Sequence, residues 1–241
     1  IGAGGISDSH IRGYLDLQDQ CEIIAICDTD PARAEAKRLA FGLVDARVHG
    51  DAAELLAQEK PDLVSIATPP ASHAELTIRS LRAGSHVLVE KPMAPSLEQC
   101  DAMLEAQRES GRLLSVVAQN RFRDDMAGLK AVLDSGLIGS LSHVSIDSTW
   151  WRARSYYDLW WRGTWESEGG GPTLNHAIHH IDLMLWLLGR PSEVAAMMNN
   201  AQHDNAEVED ISVAIFRYGR ALAELTSSVV HHGEEQEIII H

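Results

Sequence analysis

The sequence predicts an α/β chain in two parts: a doubly wound parallel sheet, then an α+β part built on an open, mostly antiparallel sheet. Three observations predict it. The chain begins on a glycine-rich turn, Ile1-Gly2-Ala3-Gly4-Gly5-Ile6-Ser7; apolar strand-like runs then alternate with helix-like segments to about residue 119; and beyond residue 140 strand patterns follow one another with few helices between them. The expected parts are therefore 1–119 and 120–241.

Composition narrows the function. With 35 acidic against 20 basic residues the formal net charge is −15, which argues against nucleic acid or an anionic membrane surface and for a small molecule as partner. Cys21, Cys27 and Cys100 are odd in number, and two of them fall in or beside an apolar strand pattern, as thiols of a reducing, cytoplasmic compartment would. The longest apolar run, near Ile181, is interrupted by Asp182 and is too short to span a bilayer. The chain opens and closes in strand rhythm, so the first strand is expected to be clipped and the C-terminal sheet incomplete.

The elements of the first part follow in order. Glycines in the opening turn let backbone N–H groups and a helix N-terminus approach a pyrophosphate, with Ser7 in the third glycine position; Gly2, Gly4, Gly5 and Ile6 are the expected contacts. A helix to about Leu17 leads to a buried strand over 22–28, ending in Asp28, 24 residues after Gly4, where an adenosine ribose would lie. A carboxylate there accepts from ribose hydroxyls and repels a 2′-phosphate, favouring NAD over NADP. Asp28 and Asp30 are equally suited to N-cap the helix over 32–40. A short strand near Val48, a helix over 52–58 and a strand over 63–67 end at Thr68-Pro69-Pro70, a stiff wall suited to a flat ring. A helix over 72–83, a strand over 86–90, a helix over 96–109 and a strand over 113–118 complete the alternation. Lys91, in Glu90-Lys91-Pro92, follows the carboxyl end of the fourth of these strands, where ligands of open α/β sheets lie, and Pro92 stiffens its backbone.

In the second part a helix over 124–135 precedes strands over 141–150, 193–198, 208–218, 221–230 and 235–240. One face of such a sheet is expected to pack inward and the other to meet a second subunit, giving a homodimer or homotetramer. Between the first two strands lie Trp160-Trp161-Arg162-Gly163-Thr164-Trp165 and Gly169-Gly170-Gly171-Pro172-Thr173-Leu174-Asn175-His176. Read as one helix, the following stretch places Asn175, His179 and Asp182 on one face. Imidazole titrates near neutrality, so His179 suits a general acid/base that moves a hydroxyl proton while hydride moves to or from a nicotinamide. His176, His179 and His180 cannot all face one site. A zinc centre built from them is set aside, because no cysteine or second histidine pair lies nearby.

Together these motifs, in this order, resemble the Gfo/Idh/MocA family of glucose-fructose oxidoreductase and inositol dehydrogenase: the glycine turn, Asp28, Glu90-Lys91-Pro92, and Gly169-Gly170-Gly171 leading into His179 and Asp182. The resemblance implies an N-terminal Rossmann domain that uses NAD(H) or NADP(H), a C-terminal domain with an open antiparallel sheet, and oxidation or reduction of a sugar, sugar derivative or polyol at a carbinol carbon. It implies Lys91 and His179 as catalytic residues, with Asn175 where the family often carries an acid; Trp161, Arg162 and Asn175 as substrate contacts; and Thr68, Pro69 and Glu90 beside the cofactor. Asparagine holds a hydroxyl but exchanges no proton at neutral pH, which keeps alive a second reading, a non-catalytic dinucleotide-binding regulator or scaffold.

Overall fold

The computed structural model describes residues 1–241, in two compact units, Ile1–Val117 and Ala118–His241. In the first, α1 (Ser7–Leu15) leads to β1 (Ala25–Cys27), α2 (Pro31–Ala40), β2 (Arg47–His49), α3 (Ala52–Glu59), β3 (Leu63–Ile66), α4 (His73–Arg82), β4 (His86–Val89), α5 (Leu97–Ser110) and β5 (Leu114–Val116). The helices begin where the sequence supplies caps. Asp30 accepts from Ala32 N at 3.0 Å with Pro31 behind it, Asp51 accepts from Glu54 N at 2.9 Å, and Ser96 accepts from Gln99 N at 3.3 Å. Gly111, at φ 64°, ends α5.

Parallel ladders join β1 to β2 and β3 to β4 to β5. Ile1 and Gly2 join the two sets: Gly2 N–H donates to Cys27 O, Ala67 N–H to Ile1 O, and the Ile1 amine to Ser65 O, at 2.7–2.8 Å. The resulting lateral order is β2, β1, Ile1–Gly2, β3, β4, β5, a doubly wound sheet whose order reverses beside Gly2. One face of β3 and β4 is fully buried: Val64, Ile66, Val87 and Val89 pack with Leu55, Leu81 and Met103, while on the other face Ser65 and Leu88 are half-buried and Leu63 is exposed. The second strand is shorter than the expected 22–28, because its neighbour β2 has only three residues to pair with it.

The second unit contains α6 (Asp124–Asp134), β6 (His143–Trp151), α7 (Trp165–Glu168), α8 (Pro172–Asn175), α9 (Ile178–Leu188), β7 (Glu193–Asn199), β8 (Ile211–Tyr218), β9 (Ala221–Ser228) and β10 (Val230–Ile240). The sheet order is β10-β6-β9-β8-β7, antiparallel except for the parallel pair β6–β9. Alternation along β8 and β9 buries Ala214, Phe216, Ala223 and Leu225 beneath Met184 of α9, while Val213, Ile215 and Leu222 stay exposed on the other face.

Two expectations fail here. The stretch from Asn175 to Asp182 is not one helix: α8 stops at Asn175 and α9 restarts at Ile178, so Asn175 does not share a helix face with His179 and Asp182. The amide of Asn175 donates to the carbonyls of Gly170 (2.7 Å) and Gly171 (3.2 Å), competing with the backbone, and the N–H groups of His176 and Ala177 both fall on Pro172 O. Residues 208–210, expected inside a strand, instead form a loop whose carboxylates hold other segments; β8 begins only at Ile211.

Candidate active site

The glycine turn is built for close approach. Gly2 adopts φ +94°, and a Cβ on it would meet Ala67 O at 2.6 Å and Thr68 Cγ2 at 2.9 Å, so the turn presses directly on the end of β3. Gly4 and Gly5 have no such neighbour within 4 Å: space is left open over the N-terminal turn of α1, where backbone N–H groups and the helix dipole favour phosphate. Ile6 forms the N-cap position of α1, and Ser7 bonds back to Gly4 O at 2.6 Å, closing the turn where a third glycine is absent.

Asp28, 8% exposed, accepts from Ala3 N at 2.8 Å, Asp30 N at 3.0 Å and Arg33 Nη1 at 3.3 Å. One carboxylate therefore organises both the glycine turn and the start of α2. Asp30, not Asp28, caps that helix. Arg33 at this carboxylate was not legible in the sequence, because the contact depends on the turn of α2 that brings residue 33 back over residue 28.

Thr68 and Pro69 lie directly after β3, and Glu90 and Lys91 directly after β4, both at carboxyl ends of strands. His73, fully buried at the start of α4, ties these loops together: Nδ1 lies 2.8 Å from Pro92 O and Nε2 2.8 Å from Thr68 O. Burial pushes this imidazole down, against the pull of both carbonyls and of Glu90. Glu90, 6% exposed, accepts from His10 Nε2 at 3.0 Å and from the Lys91 N–H at 3.1 Å. Burial would raise its carboxyl, but the His10 hydrogen bond, the Lys91 N–H and the charges of both residues outweigh it and hold the group below the ordinary glutamate value. Sequence reasoning missed His10 and His73. Their one signal was helical histidines placed where a sheet-facing side chain would be expected. A cavity of about 460 Å³ runs between β1 and β3 alongside Ile24 and Val64 and reaches Gly2 and His10 at one end; neither Asp28 nor Lys91 lines it.

In the second unit, Trp161 and Arg162 are held by a buried acid. The Arg162 guanidinium lies 4.0 Å from the ring centroids of both Tyr156 and Trp161 and donates to Glu168 Oε1 at 3.0 Å, while Glu168 Oε2 accepts from Gly163 N at 2.6 Å. Beside this clamp Tyr156 Oη meets His176 Nε2 at 3.2 Å, and the His176 ring lies tilted against Trp150 with centroids 4.9 Å apart. His180 is buried, and burial pushes its imidazole down. His179 is the partly exposed histidine at the second position of α9. Asp182, one turn on, forms a two-point ion pair with Arg121, whose Nε lies 2.7 Å from Oδ2.

Two further carboxylates, neither foreseen, shape this region. Glu209 accepts from Gly171 N (2.8 Å) and Thr173 N (3.2 Å), capping α8; a Cβ on Gly171 would stand 1.8 Å from Glu209 O. Asp210, fully buried, accepts from the N–H groups of Ala201, Gln202 and His203 and from the His203 ring at 3.0 Å.

Residues 1–118 match the family model described as the oxidoreductase family, NAD-binding Rossmann fold, and residues 126–241 match the GFO/IDH/MocA C-terminal domain. The WlbA dehydrogenase from Bordetella pertussis, solved with NADH and UDP-GlcNAcA, superposes with a TM-score of 0.93 at 34% identity, over 99% of this chain and 69% of its own. The chain belongs to the Gfo/Idh/MocA family. Among curated members it is 32% identical, over 80% of its length, to D-glucoside 3-dehydrogenase of Escherichia coli (strain K12). It is 31% identical, over 91% of its length, to scyllo-inositol 2-dehydrogenase (NADP(+)) IolW of Bacillus subtilis (strain 168). It spans 54% and 59% of the lengths of those two relatives. Its first unit is thus the family's NAD-binding part, and the open glycine turn with Asp28 at the end of β1 fits a dinucleotide.

Proposed function

We propose that the chain is part of an NAD-dependent oxidoreductase acting on a carbinol or ketone carbon of a sugar, sugar derivative or polyol. The observation that carries this reading is Lys91: in the same sheet as the glycine turn, it stands directly beyond the carboxyl end of β4 on a turn anchored by two buried side chains, Glu90 and His73. The bound nicotinamide supplies the hydride acceptor or donor. In the oxidative direction the carbinol carbon gives up hydride and its hydroxyl gives up a proton. Lys91 holds that oxygen and stabilises the charge that develops on it, and His179 takes the proton. Trp161 and Arg162 offer a flat, cationic surface to the substrate, and the carbonyl of Asn175, whose amide is committed to Gly170 and Gly171, accepts from a substrate hydroxyl.

Asp28 favours NAD, since a 2′-phosphate would meet its carboxylate, although Arg33 beside it softens that repulsion. The exposed outer face of the C-terminal sheet, with Met197, Val213, Ile215 and Leu222, supports a homodimer or homotetramer. Three free cysteines support a cytoplasmic setting, and no helix is long and apolar enough to cross a membrane.

The test is a panel of glucosides, sugar acids, nucleotide-linked sugars and cyclitols, each with NAD and with NADP, followed by absorbance of the reduced nicotinamide. Turnover of at least one, faster with NAD, is expected. NAD binding with no turnover on any member would favour the regulator or scaffold reading, which the asparagine at position 175 keeps in play.

A further inference from the structure

His10 and Tyr14 stand one turn apart on α1, so both face the sheet. Tyr14 Oη bonds Ser65 Oγ of β3 at 2.5 Å, and His10 Nε2 bonds Glu90 Oε1 at 3.0 Å, across 80 residues of sequence. The His10 and Glu90 side chains are only 10% and 8% exposed. A carboxylate this deep is costly unless its oxygens are used, and both are: the second accepts the Lys91 N–H. Glu90 therefore links two things that the fold otherwise keeps in separate loops, the helix that begins at the glycine turn and the backbone of Lys91.

We propose that His10 is a positioning residue for Lys91, transmitting the position of α1 to that amine through Glu90. The inference rests on the reading of Lys91 as an active-site group. When phosphates dock on the N-terminal turn of α1, a displacement of that helix is passed by the His10–Glu90 hydrogen bond to the peptide N–H of Lys91, whose opposite flank is fixed by the His73 contact to Pro92 O. A neutral or charged imidazole serves equally, provided Nε2 carries the proton.

The experiment compares the 241-residue chain with His10→Gln, whose amide can put an N–H near the place of Nε2, with His10→Leu, which fills similar space without a donor, and with His10→Asn, whose donor is too short to reach Glu90. The chain has four lysines, Lys37, Lys60, Lys91 and Lys130, so after reductive 13C-methylation the Lys91 signal is assigned with Lys91→Arg. In the wild type and His10→Gln, the signal should hold one position and move on addition of NAD. In His10→Leu and His10→Asn it should start elsewhere and respond less, and kcat should drop about tenfold or more with NAD affinity within about threefold of wild type. Leu and Asn variants with a wild-type Lys91 signal and kcat overturn the proposal, as does a Gln variant indistinguishable from Leu. If Leu does not fold, Asn against Gln decides alone. If the wild type turns over no substrate, the proposed function falls, while the Lys91 signal still decides the role of His10.

Discussion

The two units place their functional groups by different means. In the first, each group sits where a local pattern puts it: a glycine turn before α1, an acid at the end of β1, and Glu90-Lys91-Pro92 after β4. Parallel strands with interleaved helices gather their carboxyl ends in one place, so position along the sequence already fixes position in space. In the second unit the corresponding segment has almost no regular structure of its own. Residues 154–177 hold only short helical turns, and their shape comes from buried carboxylates at Glu168 and Glu209 that take up their backbone N–H groups, as Asp210 does for the loop at 201–203. The first unit is positioned by topology, the second by long-range caps. Substitutions should therefore separate binding from stability in the first unit and merge them in the second.

Glycines give the sharpest contrast. Gly171→Ala forces a Cβ into the Glu209 backbone and should destabilise the chain by more than about 4 kcal/mol or prevent folding. Gly4→Ala meets open space and should leave the melting temperature nearly unchanged while weakening NAD binding. Calorimetric unfolding and NAD titration of the two variants check this; equal stability losses would erase the distinction.

Asp210→Asn comes next. The carboxyl is pushed up by burial but held below the ordinary aspartate value by the N–H groups of Ala201 and Gln202 and by His203. An amide there turns two donors toward donors and should cost about 2 kcal/mol. Because the folded carboxyl is depressed, its stabilisation is complete above the unfolded aspartate value, roughly 3.9, and is lost as pH falls toward the folded value. The gap in melting temperature between wild type and variant should hold from pH 7 to about 4 and close below that. A gap that widened on acidification would contradict this account of Asp210.

The smallest effect is expected at Asn175. Asn175→Asp replaces a donor to two carbonyls by an acceptor, so it should lower stability by about 1 kcal/mol and give no gain in kcat. A clear gain would mean that the position lacks a needed proton carrier.

The same contrast explains what the sequence made legible. Element order, the strand–helix alternation to β5 and the antiparallel hairpins of the second unit followed from apolar periodicity and from a cap such as Asp30, because those are local. The broken helix at His176 did not, since the spacing of Asn175, His179 and Asp182 suits one helix and only the Asn175 back-bonds and the Glu209 cap, 38 residues from Gly171, reset it. Residues 208–210 passed as strand because Val208 and Ile211 continue an apolar run; the acids between them were the available signal. The link from His10 to Glu90 was invisible for the same reason, a pairing across 80 residues that no spacing rule anticipates.

In the function proposed for this chain, Lys91 meets the bound substrate while the same unit holds the dinucleotide. Lys91→Ala, measured for kcat on a confirmed substrate and for NAD affinity by titration, tests it most directly. The account predicts a fall in kcat of about a hundredfold or more with NAD affinity nearly unchanged. Turnover close to wild type in that variant would contradict it.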